Sequence, residues 1–220
     1  YDSSLYCGGN SEGGRIGVGN NTVLPIKTPV HVLWQDGTEG ASATMVAIGD
    51  EHSCAILDDG NVKCWGYGGY GQLGYGSTSS LGDSSSEVGD GLPYALLGGL
   101  TVNQIYTSKG TSHYYSYTTN VDSSFTCGLM EDGHLRCWGY NGNGQLGIGN
   151  INQIDSTHEM GSNLQVTDIG DFVESAALGS QSMCAIREDG QVRCWGYNGY
   201  GQLGHGDFTQ RGDNPNEMGD

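Results

Sequence analysis

The fold follows from Cys184-Ala185-Ile186-Arg187-Glu188-Asp189-Gly190-Gln191-Val192-Arg193-Cys194-Trp195-Gly196, a stretch that occurs three times in the chain with small changes. The other copies run from Cys54 to Gly66 and from Cys127 to Gly139. In each copy an acidic pair and a glycine lie midway between two cysteines. This is the composition of a three-residue β-hairpin loop with glycine at its left-handed position. The predicted loops are residues 58–60, 131–133 and 188–190.

The hairpin register brings the two cysteines of each copy together. If the residues that flank the loop form a hydrogen-bonded pair, pairing alternates outward and the cysteines face each other at a non-hydrogen-bonded site, where Cα atoms lie about 4.5 Å apart. A disulfide tolerates that separation. The alternative is six small buried apolar side chains, which the threefold recurrence disfavours. The predicted disulfides are Cys54–Cys64, Cys127–Cys137 and Cys184–Cys194.

Composition narrows the classes of protein that the chain can belong to. Of 220 residues, 40 are glycine and seven are cysteine, which favours turns and short strands over helices. The formal net charge of -17 disfavours nucleic acid and anionic membrane as partners, because both are bound through clusters of Lys and Arg. Paired cysteines indicate an oxidising compartment. We therefore expect an extracellular or cell-surface protein with no nucleic-acid partner and no membrane insertion.

The repeat divides a single domain, residues 1–220, into units. Cys54 and Cys127 are separated by 73 residues, whereas Cys127 and Cys184 are separated by 57. The difference is a Tyr-rich insertion around residues 107–122, whose Tyr114, Tyr115 and Tyr117 form either a candidate interaction loop or a loop packed on its own unit. A period of this length is typical of a propeller or related array. The predicted units are a half repeat 1–29 and repeats 30–93, 94–164 (with the insertion) and 165–220.

Two features of the half repeat bear on modification and assembly. The segment from Cys7 to Gly19 aligns with Cys64 to Gly76, so Cys7 would need a partner before the first residue and is predicted to be unpaired within this chain. Either the native chain continues upstream or a neighbouring chain supplies the missing strand. Asn20-Asn21-Thr22 is a glycosylation sequon, which predicts glycosylation at Asn20 in a secreted eukaryotic protein.

The repeats resemble those of the regulator of chromosome condensation family. The similarity runs from Ile48-Gly49-Asp50 through the hairpin to Trp65-Gly66 and then Gly71-Gln72-Leu73-Gly74-Tyr75-Gly76. In the half repeat Gly8 replaces Trp and Arg15 replaces Gln. The resemblance implies an all-β β-propeller of four-stranded antiparallel blades, commonly seven. Seven such repeats need about 400 residues, so about three and a half repeats form a partial ring or part of a seven-bladed propeller. The paired cysteines are similar to those of secreted relatives in microbes.

Other motifs do not lead to a chemical site. The G-x-G-x-x-G pattern occurs in each of the three full repeats (69–74, 142–147 and 199–204) without the following helix that dinucleotide binding needs, so no cofactor is expected. His52 has no counterpart, since Phe125 and Ser182 take its place, and no metal-ligand spacing is present. The tryptophans after the second cysteines are expected to pack between blades, with carbohydrate stacking as a minor alternative. Acidic loops are expected to form turns, with calcium binding as the alternative: Asp83, Glu87 and Asp90; Asp155 and Glu159; Asp213, Glu217 and Asp220.

The sequence predicts function through the surface and not through catalysis. No nucleophile, base and orienting group can be assembled from it. The leading hypothesis is an extracellular, non-enzymatic structural or interaction module that binds protein partners, including copies of itself in a surface or filamentous assembly. One alternative is a secreted protein-binding module or enzyme inhibitor. A guanine-nucleotide exchange factor, which the family resemblance suggests, is the other.

Overall fold

The structure, a computed structural model, describes residues 5–19, 26–31, 42–109 and 124–218. Short 3-10 turns lie at Glu12–Gly14, Ser85–Glu87, Gly89–Gly91 and Gly161–Asn163. No helix in these ranges has the length and apolar character needed to cross a membrane. The strands are β1 (Tyr6–Gly9), β2 (Ile26–His31), β3 (Ala43–Ile48), β4 (His52–Leu57), β5 (Val62–Gly66), β6 (Val102–Thr107), β7 (Phe125–Met130), β8 (Leu135–Gly139), β9 (Val173–Leu178), β10 (Ser182–Arg187) and β11 (Val192–Gly196).

The strands form three similar antiparallel sheets, which we call the first, second and third blades. Their strand orders are β3-β4-β5, β6-β7-β8 and β9-β10-β11, and β1 pairs with β2 in a separate two-stranded sheet. The all-β prediction is confirmed. Each blade has three full strands, and its fourth position is reduced to isolated bridges. These are Gly66–Leu81 in the first blade, Arg136–Val166 and Gly139–Ile154 in the second, and Gly196–Arg211 in the third. The segments after these bridges are rich in Gly, Asp, Ser and Asn, which favour turns and shorten the fourth strand.

The hairpin loops have the predicted three-residue form. In the first blade the Leu57 N–H donates to the Asn61 carbonyl at 2.9 Å, which closes the loop. The loop glycines have φ values of 78°, 79° and 80° at Gly60, Gly133 and Gly190, a region that L side chains rarely adopt. The central aspartate of each loop also accepts a hydrogen bond from the backbone N–H two residues later. Glycine and aspartate therefore fix the register of all three hairpins.

The core lies between blades and not within them. Every side chain of the central strands β4 and β7 is buried. Apolar residues of all three blades belong to one cluster that includes Leu73, Trp138 and Trp195. The second blade is thus covered by its neighbours on both faces, as expected for a repeat architecture.

Candidate protein interaction surface

Each blade has two faces, which we name by their direction along the chain. The forward face packs on the following blade, and the backward face packs on the preceding one. Tryptophans lie on the backward face. Trp138 Nε1 donates to the Gln72 carbonyl of the first blade at 3.0 Å. Trp195 Nε1 donates to the Gln145 carbonyl of the second blade at 3.0 Å. Side chains alternate along a strand, so the cysteine beside each tryptophan points forward. The tryptophans pack between blades.

The forward face of each blade carries a disulfide. Cys54 lies opposite Cys64, Cys127 opposite Cys137 and Cys184 opposite Cys194, with Cα separations of 4.1, 4.1 and 4.0 Å. The first two disulfides are buried with 0% exposure under the following blade. The third is partly exposed. Three chemically identical groups therefore differ in access to solvent.

A glycine-rich loop forms the slot that receives each indole. A Cβ on Gly74 would lie 2.9 Å from Trp138 Nε1, and a Cβ on Gly147 would lie 2.7 Å from Trp195 Nε1. Contacts this short exclude any side chain there without movement of the indole. At the equivalent Gly204 of the third blade, nothing lies within 4 Å of the Cβ position. The third slot has the same sequence and no occupant among the described residues.

The tips of the three hairpins differ in the same way, because the following blade covers the first two. Thr101 of the second blade covers Gly60, with its Cβ 2.6 Å from the Cβ position of that glycine. Phe172 of the third blade covers Gly133, with its Cδ1 2.8 Å away. Gly190 has nothing within 4 Å. Thr101 and Phe172 thus cover the tips of the first two hairpins. Among the described residues, no side chain covers the tip of the third.

Apolar side chains on the forward face show how much surface remains open. Val62 and Leu135 are fully buried, whereas Val192 in the same register is 60% exposed. Ile186 is 39% exposed, although its counterparts in the first two blades are buried. Exposed aliphatic side chains beside a partly exposed disulfide make a contiguous apolar surface, which soluble proteins use for contacts with other proteins.

Two aromatic residues extend this surface. Tyr70 of the first blade packs edge-on against Tyr140 of the second, with ring centroids 5.2 Å apart. Tyr200 holds the position of Tyr70 in the third blade and is 85% exposed. Phe208 is 74% exposed, and its Cε1 lies 3.7 Å from the Cβ position of Gly201. We call the following set the third-blade forward face: Cys184, Ile186, Gly190, Val192, Cys194, Tyr200, Gly201, Gly204 and Phe208.

In two of the three predicted acidic loops, a glutamate carboxylate accepts hydrogen bonds from the loop's own backbone. The Glu159 carboxylate accepts from the backbone N–H groups of Asp155 and Ser156, and from the Ser156 hydroxyl at 2.8 Å. Burial raises the pKa of Glu159, but these hydrogen bonds outweigh it and hold the pKa below its ordinary value. Glu217 likewise accepts from the N–H groups of Gly212 and Asn214. Across the described residues, no group of three or more His, Cys, Asp and Glu side chains could hold a metal ion.

Of the remaining predicted site residues, Cys7 lies among those that the structure describes. Cys7 lies in β1 opposite Val30, is half-buried and makes no disulfide, and burial raises the pKa of its thiol. Asn20 lies outside the described residues. So do the three tyrosines of the predicted interaction loop, Tyr114, Tyr115 and Tyr117.

His52 makes a buried polar contact that the repeat pattern did not predict. The Thr126 hydroxyl donates to the Gln72 carbonyl at 2.8 Å, so it accepts at 2.8 Å from His52 Nε2, which must carry the proton. The other ring nitrogen is buried and has no hydrogen-bond partner among the described residues. Burial lowers the pKa of His52 to about 4. These hydrogen bonds link the first two blades. In the sequence they are indicated by His52 alone, which stands where the other repeats have Phe125 and Ser182.

Comparison with known proteins agrees with this geometry. The Regulator of chromosome condensation (RCC1) repeat matches residues 45–72, 123–145 and 173–202. Over 204 residues the chain is 31% identical to the ultraviolet-B receptor UVR8 of Arabidopsis thaliana, covering 92% of this chain and 39% of the receptor. It is 29% identical to the human E3 ubiquitin-protein ligase HERC2 over 205 residues, covering 92% of this chain and 4% of the ligase. The chain therefore spans well under half the length of either relative.

Solved structures share the fold. Human WBSCR16 superposes with a TM-score of 0.65 at 19% identity, covering 95% of this chain and 47% of that protein. Yeast RCC1 (Prp20), solved bound to Kap60, gives a TM-score of 0.65 at 20% identity, covering 98% and 44%. Prp20p of Saccharomyces cerevisiae, whose binding to Gsp1p and histones has been described, gives 0.64 at 18% identity, covering 93% and 43%. The chain therefore contains regulator of chromosome condensation repeats, and it shares the β-propeller fold of these structures.

Proposed function

We propose that the chain is a non-enzymatic interaction module of an extracellular or cell-surface compartment and that it binds protein partners through the third-blade forward face. One observation carries the proposal: positions that are buried in the first two blades are exposed at the equivalent places in the third. Val192 is 60% exposed where Leu135 is fully buried. Burying an aliphatic side chain of this kind contributes about 1.5–3 kcal/mol, so this surface favours association.

The chemistry of the surface favours a protein partner over a small ligand. Aromatic side chains are enriched in protein interfaces, and Tyr200 and Phe208 are 85% and 74% exposed. The exposed hairpin tip carries Glu188 and Asp189, and the chain has a net charge of -17. A partner with apolar residues at the centre of the contact and basic residues at its rim would complement this surface.

The compartment is proposed from the three disulfides. Disulfides persist in secreted and cell-surface proteins and are rare in the cytosol. Thiol titration of native material, denatured without reductant, tests this directly. We expect at most one titratable thiol, at Cys7, because the other six cysteines are bonded. A count of seven would contradict the extracellular assignment and favour a reducing compartment, in which an exchange factor would act.

Photo-crosslinking tests the proposed surface. The crosslinking residue p-benzoylphenylalanine replaces Tyr200, and the protein is incubated with the secreted fraction of its source. We expect an adduct of defined mass. An excess of the chain without the crosslinking residue should suppress it, whereas the same excess of a chain that carries Ile186→Asp should not. The matched control places the same residue at exposed Tyr94, which is 49% exposed and outside this face.

The identity of the adduct separates the forms of the hypothesis. An adduct between two copies of the chain supports a structural assembly. An adduct with a secreted enzyme supports the inhibitor form. Absence of any adduct that the unlabelled chain suppresses would contradict binding through this face.

A further inference from the structure

We infer that the second blade binds one neutral sugar residue in a cavity of about 190 Å³. The cavity lies in the part of the chain that follows β8, between residues 148–154 and 158–165. Five amide side chains line it: Asn150, Asn152, Gln153, Asn163 and Gln165. The cavity shares no residue with the third-blade forward face, so it is a second site that is independent of the proposed function.

The charges around the cavity favour a neutral ligand. Its described lining contains no Lys or Arg, so a phosphate, sulfate or carboxylate would meet no permanent positive charge. An anion would also face the Glu159 carboxylate. That group is the one carboxylate in the described lining, and its Oε2 already accepts three hydrogen bonds from Asp155 and Ser156. Calcium sites use several carboxylates, so a metal ion fits poorly as well.

The amide side chains match the hydroxyl groups of a sugar. Each amide offers donors and an acceptor, and each hydroxyl both donates and accepts, so the two groups can pair in either direction. Gln153 Oε1 is buried and has no hydrogen-bond partner among the described residues. A buried acceptor of this kind favours a ligand that donates to it. Ile148 and Ile154 supply apolar surface, against which the C–H groups of a sugar ring would pack.

The volume of the cavity sets the size of the ligand. Pockets for drug-sized ligands have volumes of about 300–1,000 Å³, and this cavity is smaller, at about 190 Å³. It therefore has room for one sugar ring, with the rest of a glycan outside.

Hydrogen bonds hold both segments in place before a ligand binds. Asn141 is fully buried, and its Nδ2 donates to the carbonyls of Asn150 and Asn152 at 2.8 and 2.9 Å. In the second segment, Asn163 Nδ2 donates to the His158 carbonyl at 3.0 Å. A site that is fixed in its binding conformation loses little entropy when it is filled.

The other two blades have longer, polar side chains at the position of Ile148. In the first blade Tyr75 donates its hydroxyl to the Cys64 carbonyl at 2.6 Å and accepts from the Cys64 N–H at 2.7 Å. In the third blade His205 Nε2 lies 3.2 Å from the Cys194 carbonyl oxygen. Isoleucine is shorter and has no polar group, so Ile148 lines the cavity without reaching across it.

The amides are also particular to the second blade. Residues 150–153 read Asn-Ile-Asn-Gln, whereas the same positions read Ser-Thr-Ser-Ser in residues 77–80 and Asp-Phe-Thr-Gln in residues 207–210. All three segments lead to the bridge that takes the place of a fourth strand. Because the fold is made without these amides in two blades, their presence in the other favours a role in binding.

Saturation-transfer difference NMR on the full chain tests the site. The probes are the methyl glycosides of glucose, galactose, mannose and N-acetylglucosamine, each measured separately. Glycerol is the control for binding of hydroxyl groups in general. We expect transfer to the ring protons of at least one glycoside, with a dissociation constant on the order of 1 mM, and no transfer to glycerol.

Two variants and a matched control place the glycoside in the cavity. Ile148→Tyr introduces the residue of the first blade and fills the cavity, so we expect binding to weaken by about tenfold or more. Asn152→Ala removes one amide at an exposed position, so we expect binding to weaken by about two- to tenfold. The control is Ser79→Ala, at the same position of the first blade, which should bind as the unchanged chain does.

Five results would overturn the inference. One is the absence of transfer to all of the glycosides, and another is unchanged binding by a folded Ile148→Tyr chain. A third is equal weakening by Asn152→Ala and Ser79→Ala, which decides alone if Ile148→Tyr does not fold. Transfer to glycerol as strong as to the glycosides would mean an adventitious additive only. Loss of transfer after a chelator removes divalent cations would assign the cavity to a metal ion.

Discussion

Strands β7 and β10 hold the same place in successive blades and differ in burial. Every side chain of β7 is buried, whereas in β10 only alternate residues are buried and Ile186 is 39% exposed. Both strands carry an aliphatic residue at the same forward position, Leu129 in β7 and Ile186 in β10. The difference lies in the neighbour, since β7 has blades on both sides and β10 has a described blade on one side. In a repeat protein the sequence of a blade therefore specifies its surface, and the adjacent blade determines whether that surface is buried in the core.

The largest expected effect compares Leu135 with Val192. Leu135→Asp places a charge in a fully buried site without a partner, so we expect a loss of about 4 kcal/mol or more in the free energy of unfolding. Val192→Asp places the same charge on the open face, so we expect a change within about 0.5 kcal/mol. Urea denaturation of the isolated protein measures both. Equal losses would mean that the third-blade forward face is covered.

The next effect concerns the pH dependence of the sealed interface between the first two blades. His52 is neutral in the folded chain because burial lowers its pKa to about 4, whereas the unfolded chain binds a proton near pH 6.5. Its contribution to stability is therefore complete above pH 6.5 and is lost as the pH falls towards 4. We expect a loss of about 3 kcal/mol at pH 4 from this residue.

The control for that prediction is His52→Gln, which keeps a polar side chain and does not titrate. Urea denaturation between pH 7 and 4 should give a smaller decrease in stability for this variant than for the unchanged chain. Parallel curves for the two proteins would show that His52 does not couple protonation to the contact between the blades.

The smallest expected effect compares Gly147 with Gly204. Alanine at either position costs about 1–2 kcal/mol because both backbones are left-handed, with φ of 65° and 76°. Only Gly147→Ala also pushes against an indole, whose Nε1 lies 2.7 Å from the new Cβ. We expect it to cost about 1–3 kcal/mol more than Gly204→Ala in urea denaturation. Equal costs would indicate that an indole is already present at Gly204.

Much of the fold could be predicted because the hairpin is specified locally. The acidic pair and glycine of each loop fix the turn, and the turn fixes the register that sets cysteine opposite cysteine. The fourth strand of each blade was predicted less well. It depends on how far a loop rich in Gly and Ser follows the sheet, and Leu81 makes only one bridge to Gly66.

The candidate site was harder to predict from the sequence because it is defined by missing neighbours. Val192 differs little from Val62 or Leu135 as a residue, and only the structure shows that nothing described covers it. The network of His52, Thr126 and Gln72 joins residues up to 74 positions apart, so no local pattern reveals it. The predicted tyrosine loop lies outside the described residues and stays a prediction.

One measurement tests the central claim, that the third-blade forward face is open, most directly. The folded chain is exposed to limiting phosphine, and the six bonded cysteines are alkylated and counted by mass spectrometry over time. We expect Cys184 and Cys194 to be labelled about tenfold faster than the buried pairs, which must first open locally. Labelling of all three disulfides at one rate, or of Cys127 and Cys137 first, would contradict the account.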